Sequence, residues 1–189
     1  RGVHTPSLRM YGSMTDGLPL LRGKTTPPPL PEQIVARPRI TESIRRRLAA
    51  LPVLIVCAAP GAGKTTAVRT AFIDEPRVAW LTLDSADAAP GRLLTYLAAA
   101  LEPLAPDSIQ LARGAMSANA QPAEVAGLLV ERLADTPGAT IVLDQVDRVS
   151  TEPRAMEVID GLTRFAPAGV RVVLISRTAI TLPSGAEPG

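Results

Sequence analysis

Residues 53 to 66, VLIVCAAPGAGKTT, combine an apolar run, a glycine-bearing turn and a lysine followed by two threonines. Gly61 and Gly63 permit backbone angles that other residues avoid, so consecutive N–H groups can point inward and surround phosphate oxygens. The Lys64 ammonium can reach the β- and γ-phosphates of a nucleotide, and the Thr65 hydroxyl can ligate Mg²⁺. The motif therefore predicts a phosphate-binding loop, with the positive N-terminal end of the next helix facing the anion. Its candidate cofactor-binding residues are consecutive: Ala59, Pro60, Gly61, Ala62, Gly63, Lys64, Thr65 and Thr66.

One position departs from the strict form of this motif, and a second copy of its GKTT tetrapeptide lacks the flanking sequence of a phosphate-binding loop. Glycine is expected at position 58, where this chain has Ala58, which fits if that residue sits at negative φ. The tetrapeptide GKTT also occurs at residues 23–26, but three prolines follow it and no apolar strand precedes it. We therefore predict that residues 23–26 are linker and that replacing Lys24 changes nothing.

Polar residues at the ends of two later apolar runs complete the candidate site. Asp144 follows TIVL, in the position where P-loop enzymes place the acid that holds Mg²⁺ through water, although a plain carboxylate at a strand-to-loop junction is the alternative. Gln145 can orient water but cannot accept its proton, so we expect slow hydrolysis unless Asp147 acts as the base. Arg177 follows RVVLIS and either reaches the γ-phosphate or is an ordinary surface arginine.

Apolar strands alternating with helical segments must position these side chains. The pattern predicts strands at 53–57, 78–83, 140–143 and 170–175, and helices at 41–50, from 64, at 91–101, 122–134 and 153–166. It also predicts a long irregular connection at 103–121, with a helical turn around 108–113. Such alternation implies parallel β-α-β units. The predicted fold class is α/β, a P-loop NTPase three-layer sandwich with a mostly parallel sheet.

Composition limits the partners of the chain. Its 189 residues are enough for one domain with a substantial core, and 46% of them are hydrophobic while 3% are aromatic. A net charge of +2 gives no strongly basic field for nucleic acid, and no apolar run is long enough to span a membrane. The single cysteine, Cys57, is expected to be a small core residue in a central strand, which fits a cytoplasmic protein.

The domain organisation follows from the same composition. We expect a flexible N-terminal segment at 1–31, the P-loop NTPase domain at 32–183, and a tail at 184–189 that is truncated before downstream domains.

Taken together, the segments resemble one family. They are PPPLPEQIVARPRI, VCAAPGAGKTT, VAWLTLDSADAAPGRLLTYLAAAL, TIVLDQVDRV and RVVLISR. They are similar to the STAND-class, AAA-like nucleotide-binding domain of large LuxR-type ATP-dependent transcriptional regulators, a group that includes the maltose regulon activator. The resemblance implies that Val35, Arg37 and Arg39 line the adenine side, that Arg177 senses the γ-phosphate, and that the cofactors are ATP or ADP with Mg²⁺.

Three functions remain open at this stage. The first is an ATP-binding regulatory switch, at most a slow P-loop ATPase, that contacts downstream regulatory domains or itself and does not bind DNA directly. The second is a small P-loop phosphotransferase, which would need a lid that only the 103–121 connection could supply. The third is a truncated, non-catalytic interaction module. Nucleotide binding separates the third function from the first, and the identity of the phosphorylated product separates the second.

Overall fold

Four apolar runs form one parallel sheet in the computed structural model of the protein, which describes residues 20–33 and 35–183. The strands are β1 (Val53–Cys57), β2 (Val78–Thr82), β3 (Thr140–Asp144) and β4 (Arg171–Ser176), in the spatial order β1-β4-β3-β2. All three neighbouring pairs are parallel. Their carboxyl ends therefore lie at the same edge of the sheet, next to the glycine-bearing turn that follows β1.

Six α-helices connect and cover these strands within the described residues. They are α1 (Pro38–Ala50), α2 (Lys64–Ala71), α3 (Pro90–Leu101), α4 (Ser108–Ser117), α5 (Pro122–Glu131) and α6 (Pro153–Arg164). Proline occupies the first position of α1, α3, α5 and α6, where its missing N–H is not needed. The sequence pattern predicts a first helix that starts at Thr41, but Pro38 begins it and the Thr41 hydroxyl instead donates to the Arg37 carbonyl.

Side chains of alternate strand residues enter two separate cores. On one face, Ile141 and Leu174 pack with α3, α5 and α6, whereas on the other face Val142 and Val173 pack with α1 and α2. This alternation follows from the two-residue period of a strand. Helices on both faces of a parallel sheet make the three-layer α/β sandwich that the sequence predicts.

Two local predictions were wrong. The connection 103–121 is more regular than predicted, because the helical turn expected around 108–113 extends to the full helix α4, with Ala112 buried and the Glu102 carboxylate accepting the backbone N–H groups of Asp107 and Ile109. Cys57 is not a core residue, because β1 is an edge strand and not a central one, and the thiol is exposed. Both errors arise from tertiary packing, which local sequence patterns do not contain.

Helices α5 and α6 pack very closely where Gly161 of α6 faces Ala123 of α5. A Cβ added at Gly161 would lie 2.3 Å from the Ala123 carbonyl oxygen, so a larger residue would push the helices apart.

Within the described residues no helix is long and apolar enough to cross a membrane.

Candidate functional site

The loop after β1 has the backbone geometry that a phosphate-binding turn requires. Gly61 and Gly63 have φ of +78° and +79°, in the left-handed region that favours glycine. Ala58 has no such positive φ, so alanine is tolerated at the one position where the motif departs from its strict form. The Lys64 ammonium donates to the Ala58 carbonyl at 2.5 Å and the Ala59 carbonyl at 3.0 Å, which holds it across the turn.

The carboxyl end of β3 meets the start of α2 through one hydrogen bond. The Thr65 hydroxyl lies 3.0 Å from Asp144 Oδ2 and donates to that carboxylate. Asp144 is only 3% exposed. Burial raises the pKa of its carboxyl above the usual range, and the hydrogen bond from Thr65 opposes that shift. A metal ion at this position would help to keep the carboxylate ionised.

The chain leaves β3 through an unusual residue. Gln145 has a φ of +63°, which is uncommon for a residue other than glycine and is found more often at functional sites. The left-handed turn leads into a short 3₁₀ helix, Val146–Arg148, on which Asp147 lies. Asp147 Oδ1 accepts the backbone N–H of Arg177 at 2.9 Å, and its Oδ2 lies 3.8 Å from Arg177 Nε.

Two adjoining cavities connect these groups. The larger, of about 410 Å³, is lined by Pro60, Gly61, Gly63, Lys64, Thr65, Thr66, Asp144, Gln145, Asp147, Ile175, Ser176 and Arg177. The smaller, of about 200 Å³, is lined by Val35 and Arg37 together with α1 and α2, and it shares Gly63 and Thr66 with the larger. A polar cavity beside the glycine-bearing turn therefore adjoins a second cavity along α2.

The structure brings most of the sequence-predicted site residues together. Ala59 and Ala62 contribute carbonyl oxygens to the loop, the first to Lys64 and the second to the Arg37 guanidinium at 3.2 Å. Arg39 is the exception, because it lines a different groove between α1 and the edge strand β1.

Sequence reasoning missed the pairing of Asp147 with Arg177. The short spacing from Asp144 was a signal, but the direction of the side chain depends on the turn at Gln145.

Lys24 is not the inert linker residue that the sequence suggests. It is 8% exposed and donates to Asp84 Oδ2 at 2.9 Å and to the fully buried carboxylate of Asp87. Its ammonium also lies 4.4 Å from the centre of the Tyr96 ring. Arg92 Nε lies 3.2 Å from the other oxygen of Asp87. The GKTT copy at 23–26 thus connects residues 20–31 to the loop that follows β2.

The residues near Thr65 and Asp144 fit a shared metal ion better than a protein-only metal site. Within residues 20–33 and 35–183 there is no group of three or more His, Cys, Asp or Glu that could hold a metal. Mg²⁺ commonly uses one or two protein oxygens and completes its shell with water and substrate phosphates. The adjacent hydroxyl and carboxylate oxygens supply such a partial set beside the phosphate-binding turn.

Comparisons with known proteins show the fold. No family model matches the chain, and no curated protein matches it. Among solved structures, a Walker-type ATPase of Pyrococcus abyssi is similar, with a TM-score of 0.51 and 14% sequence identity over 80% of this chain and 47% of that one. The chain thus spans less than half of that protein's length. With its parallel sheet and phosphate-binding turn, the chain has the α/β fold of P-loop NTPases.

Proposed function

We propose that the chain is the ATP-binding regulatory switch domain of a LuxR-type, STAND-class transcriptional regulator, binding Mg·ATP and hydrolysing it slowly. Nucleotide binding is supported by the geometry of the site, and the regulatory role by the sequence resemblance. The nucleotide state would bias contacts with downstream regulatory domains or with a second copy of the chain. DNA would be bound by another domain, since the net charge of +2 gives this one little attraction for a duplex.

The observation that carries this proposal is the convergence of four polar groups on one cavity. Lys64, Thr65, Asp144 and Arg177 come from the ends of three different strands or their following helix, and all line the same 410 Å³ space. A nucleotide triphosphate needs positive charge at its β- and γ-phosphates and a divalent cation between them. The smaller cavity beyond Gly63 lies where a nucleoside joined to those phosphates could extend.

The proposed roles divide the chemistry among these residues. Thr65 and Asp144 would hold Mg²⁺, which neutralises phosphate charge when bound. Lys64 would move from the loop carbonyls to the phosphates, and Val35 and Arg37 would flank the base. Gln145 would orient water without removing its proton, and general-base help is worth about 10²–10⁴-fold, so turnover should be slow. Asp147, the alternative base, has one carboxylate oxygen occupied by the backbone N–H of Arg177.

The phosphotransferase alternative loses its main support. It required the 103–121 connection to act as a lid over the phosphates. Instead α4 packs into the core beside α3, and the nearby residues Met116 and Asn119 line a groove with Arg154 rather than the phosphate cavity. The non-catalytic alternative differs from our proposal by predicting no nucleotide binding.

The test is calorimetric titration of the 189-residue chain with Mg·ADP and Mg·ATP. Lys64→Ala should weaken both by at least ~2 kcal/mol, the order expected for lost charge-assisted hydrogen bonds to phosphate. Arg46→Ala is the matched control, since it removes one positive charge from an exposed position on α1 that lines neither cavity. Equal affinities of wild type and Lys64→Ala, or no binding by wild type, would remove the basis of the proposal.

A further inference from the structure

Asp147 binds the backbone of Arg177 more closely than its side chain, and the two side chains differ in exposure. The backbone N–H of Arg177 is held at 2.9 Å, whereas the guanidinium makes only a long contact, with 3.8 Å between Nε and Oδ2. The Asp147 side chain is 12% exposed and the Arg177 side chain 40%. The carboxylate is therefore fixed, and the guanidinium is weakly held and close to solvent.

Both partners are fixed by features of their own strand ends. The left-handed Gln145 turns the chain after β3 so that Asp147 faces the end of β4. At the end of β4 the buried Ser176 hydroxyl donates to the Thr178 carbonyl at 2.6 Å and shapes the turn that carries Arg177. The two side chains thus meet at the rim of the 410 Å³ cavity, which Lys64 also lines.

A terminal phosphate would compete with Asp147 for the guanidinium. It carries more charge than a carboxylate and offers several oxygens to the planar fork of an arginine, whereas Asp147 offers the fork one long contact. ADP lacks this terminal phosphate and therefore offers the guanidinium no such competitor.

The geometry points to Asp147 as the positioning residue for Arg177. It holds the arginine backbone in place at the rim, pairs with the guanidinium when ADP is bound, and yields it to the γ-phosphate when ATP is bound. Asp147 therefore sets the preference of the site for ATP over ADP. This inference rests on the proposed nucleotide binding.

The experiment compares dissociation constants for Mg·ADP and the non-hydrolysable Mg·AMP-PNP in four forms of the full chain: wild type, Asp147→Asn, Arg177→Ala and the double variant. Asp147→Asn keeps an oxygen for the Arg177 N–H and removes the competing charge. We expect it to tighten triphosphate binding about two- to fivefold, the size of a partly exposed ion pair. ADP affinity should stay the same. In the Arg177→Ala background the same substitution should have no effect on either nucleotide.

Three outcomes would overturn the inference. A tightening of triphosphate binding that persists without Arg177 would mean that Asp147 repels phosphate directly. Equal changes for both nucleotides would mean that it only supports the fold. If phosphate release from ATP, measured on the same four proteins, falls strongly in Asp147→Asn while the affinities are unchanged, Asp147 is the general base. If wild type binds neither nucleotide, the proposed function itself fails, which is a distinct result.

Discussion

Replacing Lys24 should destabilise the fold, although the sequence gives no hint of this. Its ammonium is buried between Asp84 and Asp87 and lies over the Tyr96 ring. Asp87 is fully buried, so Lys24→Ala leaves a carboxylate with less compensation in a region of low dielectric. Lys24 lines neither of the two cavities beside the turn after β1.

The magnitude follows from what remains around Asp87. Removing one partner of a buried ion pair costs about 3–5 kcal/mol. Here Arg92 Nε at 3.2 Å and the Asp84 N–H at 2.8 Å still compensate Asp87, and the half-exposed Asp84 side chain can turn to water. We therefore expect the free energy of unfolding to fall by about 2–3 kcal/mol, at or just below the lower limit of that range.

The assay is urea unfolding followed by circular dichroism. With a slope of about 2–3 kcal/mol/M, the loss should lower the midpoint by roughly 1 M. Lys24→Met should behave like Lys24→Ala, because the charge and not the hydrocarbon stem is responsible. Adding Asp87→Asn to Lys24→Met should recover part of the loss, which a double-mutant cycle measures. A Lys24→Ala midpoint within ~0.2 M of wild type would refute this account, since that shift is within the usual range for neutral surface substitutions.

Two further predictions concern packing and pH. Gly161→Ala should cost at least ~2 kcal/mol by overpacking α5 against α6, whereas Gly114→Ala, in open space on α4, should be neutral or gain up to ~1 kcal/mol from helix propensity; equal unfolding midpoints for the two variants would contradict the close approach. Because burial raises the pKa of Asp144, its carboxyl takes up a proton at a higher pH than an ordinary aspartate, so Mg²⁺-dependent nucleotide affinity should fall as the pH drops through that raised pKa. Calorimetry of wild type and Asp144→Asn from neutral to acidic pH checks this, and an equal fall in the variant would assign the effect to another group.

Sequence patterns predicted the strands and the phosphate loop because those features are local. β1 was predicted with its bounds and the other strands within about a residue, since short apolar runs bounded by Gly, Pro or charged residues are typical of buried strands. Glycine permits the left-handed backbone angles found at Gly61 and Gly63, and the loop motif places it at both positions.

What local patterns could not contain are contacts between distant parts of the chain. Lys24 pairs with residues 60 and 63 positions away, and Asp147 meets a residue 30 positions away. The edge position of β1, which exposes Cys57, depends on the order of all four strands. The placement of Arg39 beside β1 rather than the nucleotide cavity depends on how α1 is rotated.

The exposed end of β1 carries the one cysteine of the chain, which can serve as a site for chemical labelling. Cys57 carries the one thiol of the chain, it is accessible, and the next residue, Ala58, supplies a carbonyl to Lys64. A thiol-reactive fluorophore would therefore attach at one position without any substitution elsewhere. In the proposed function Lys64 leaves the Ala58 carbonyl to bind a phosphate, so the emission of such a label should change when nucleotide is added.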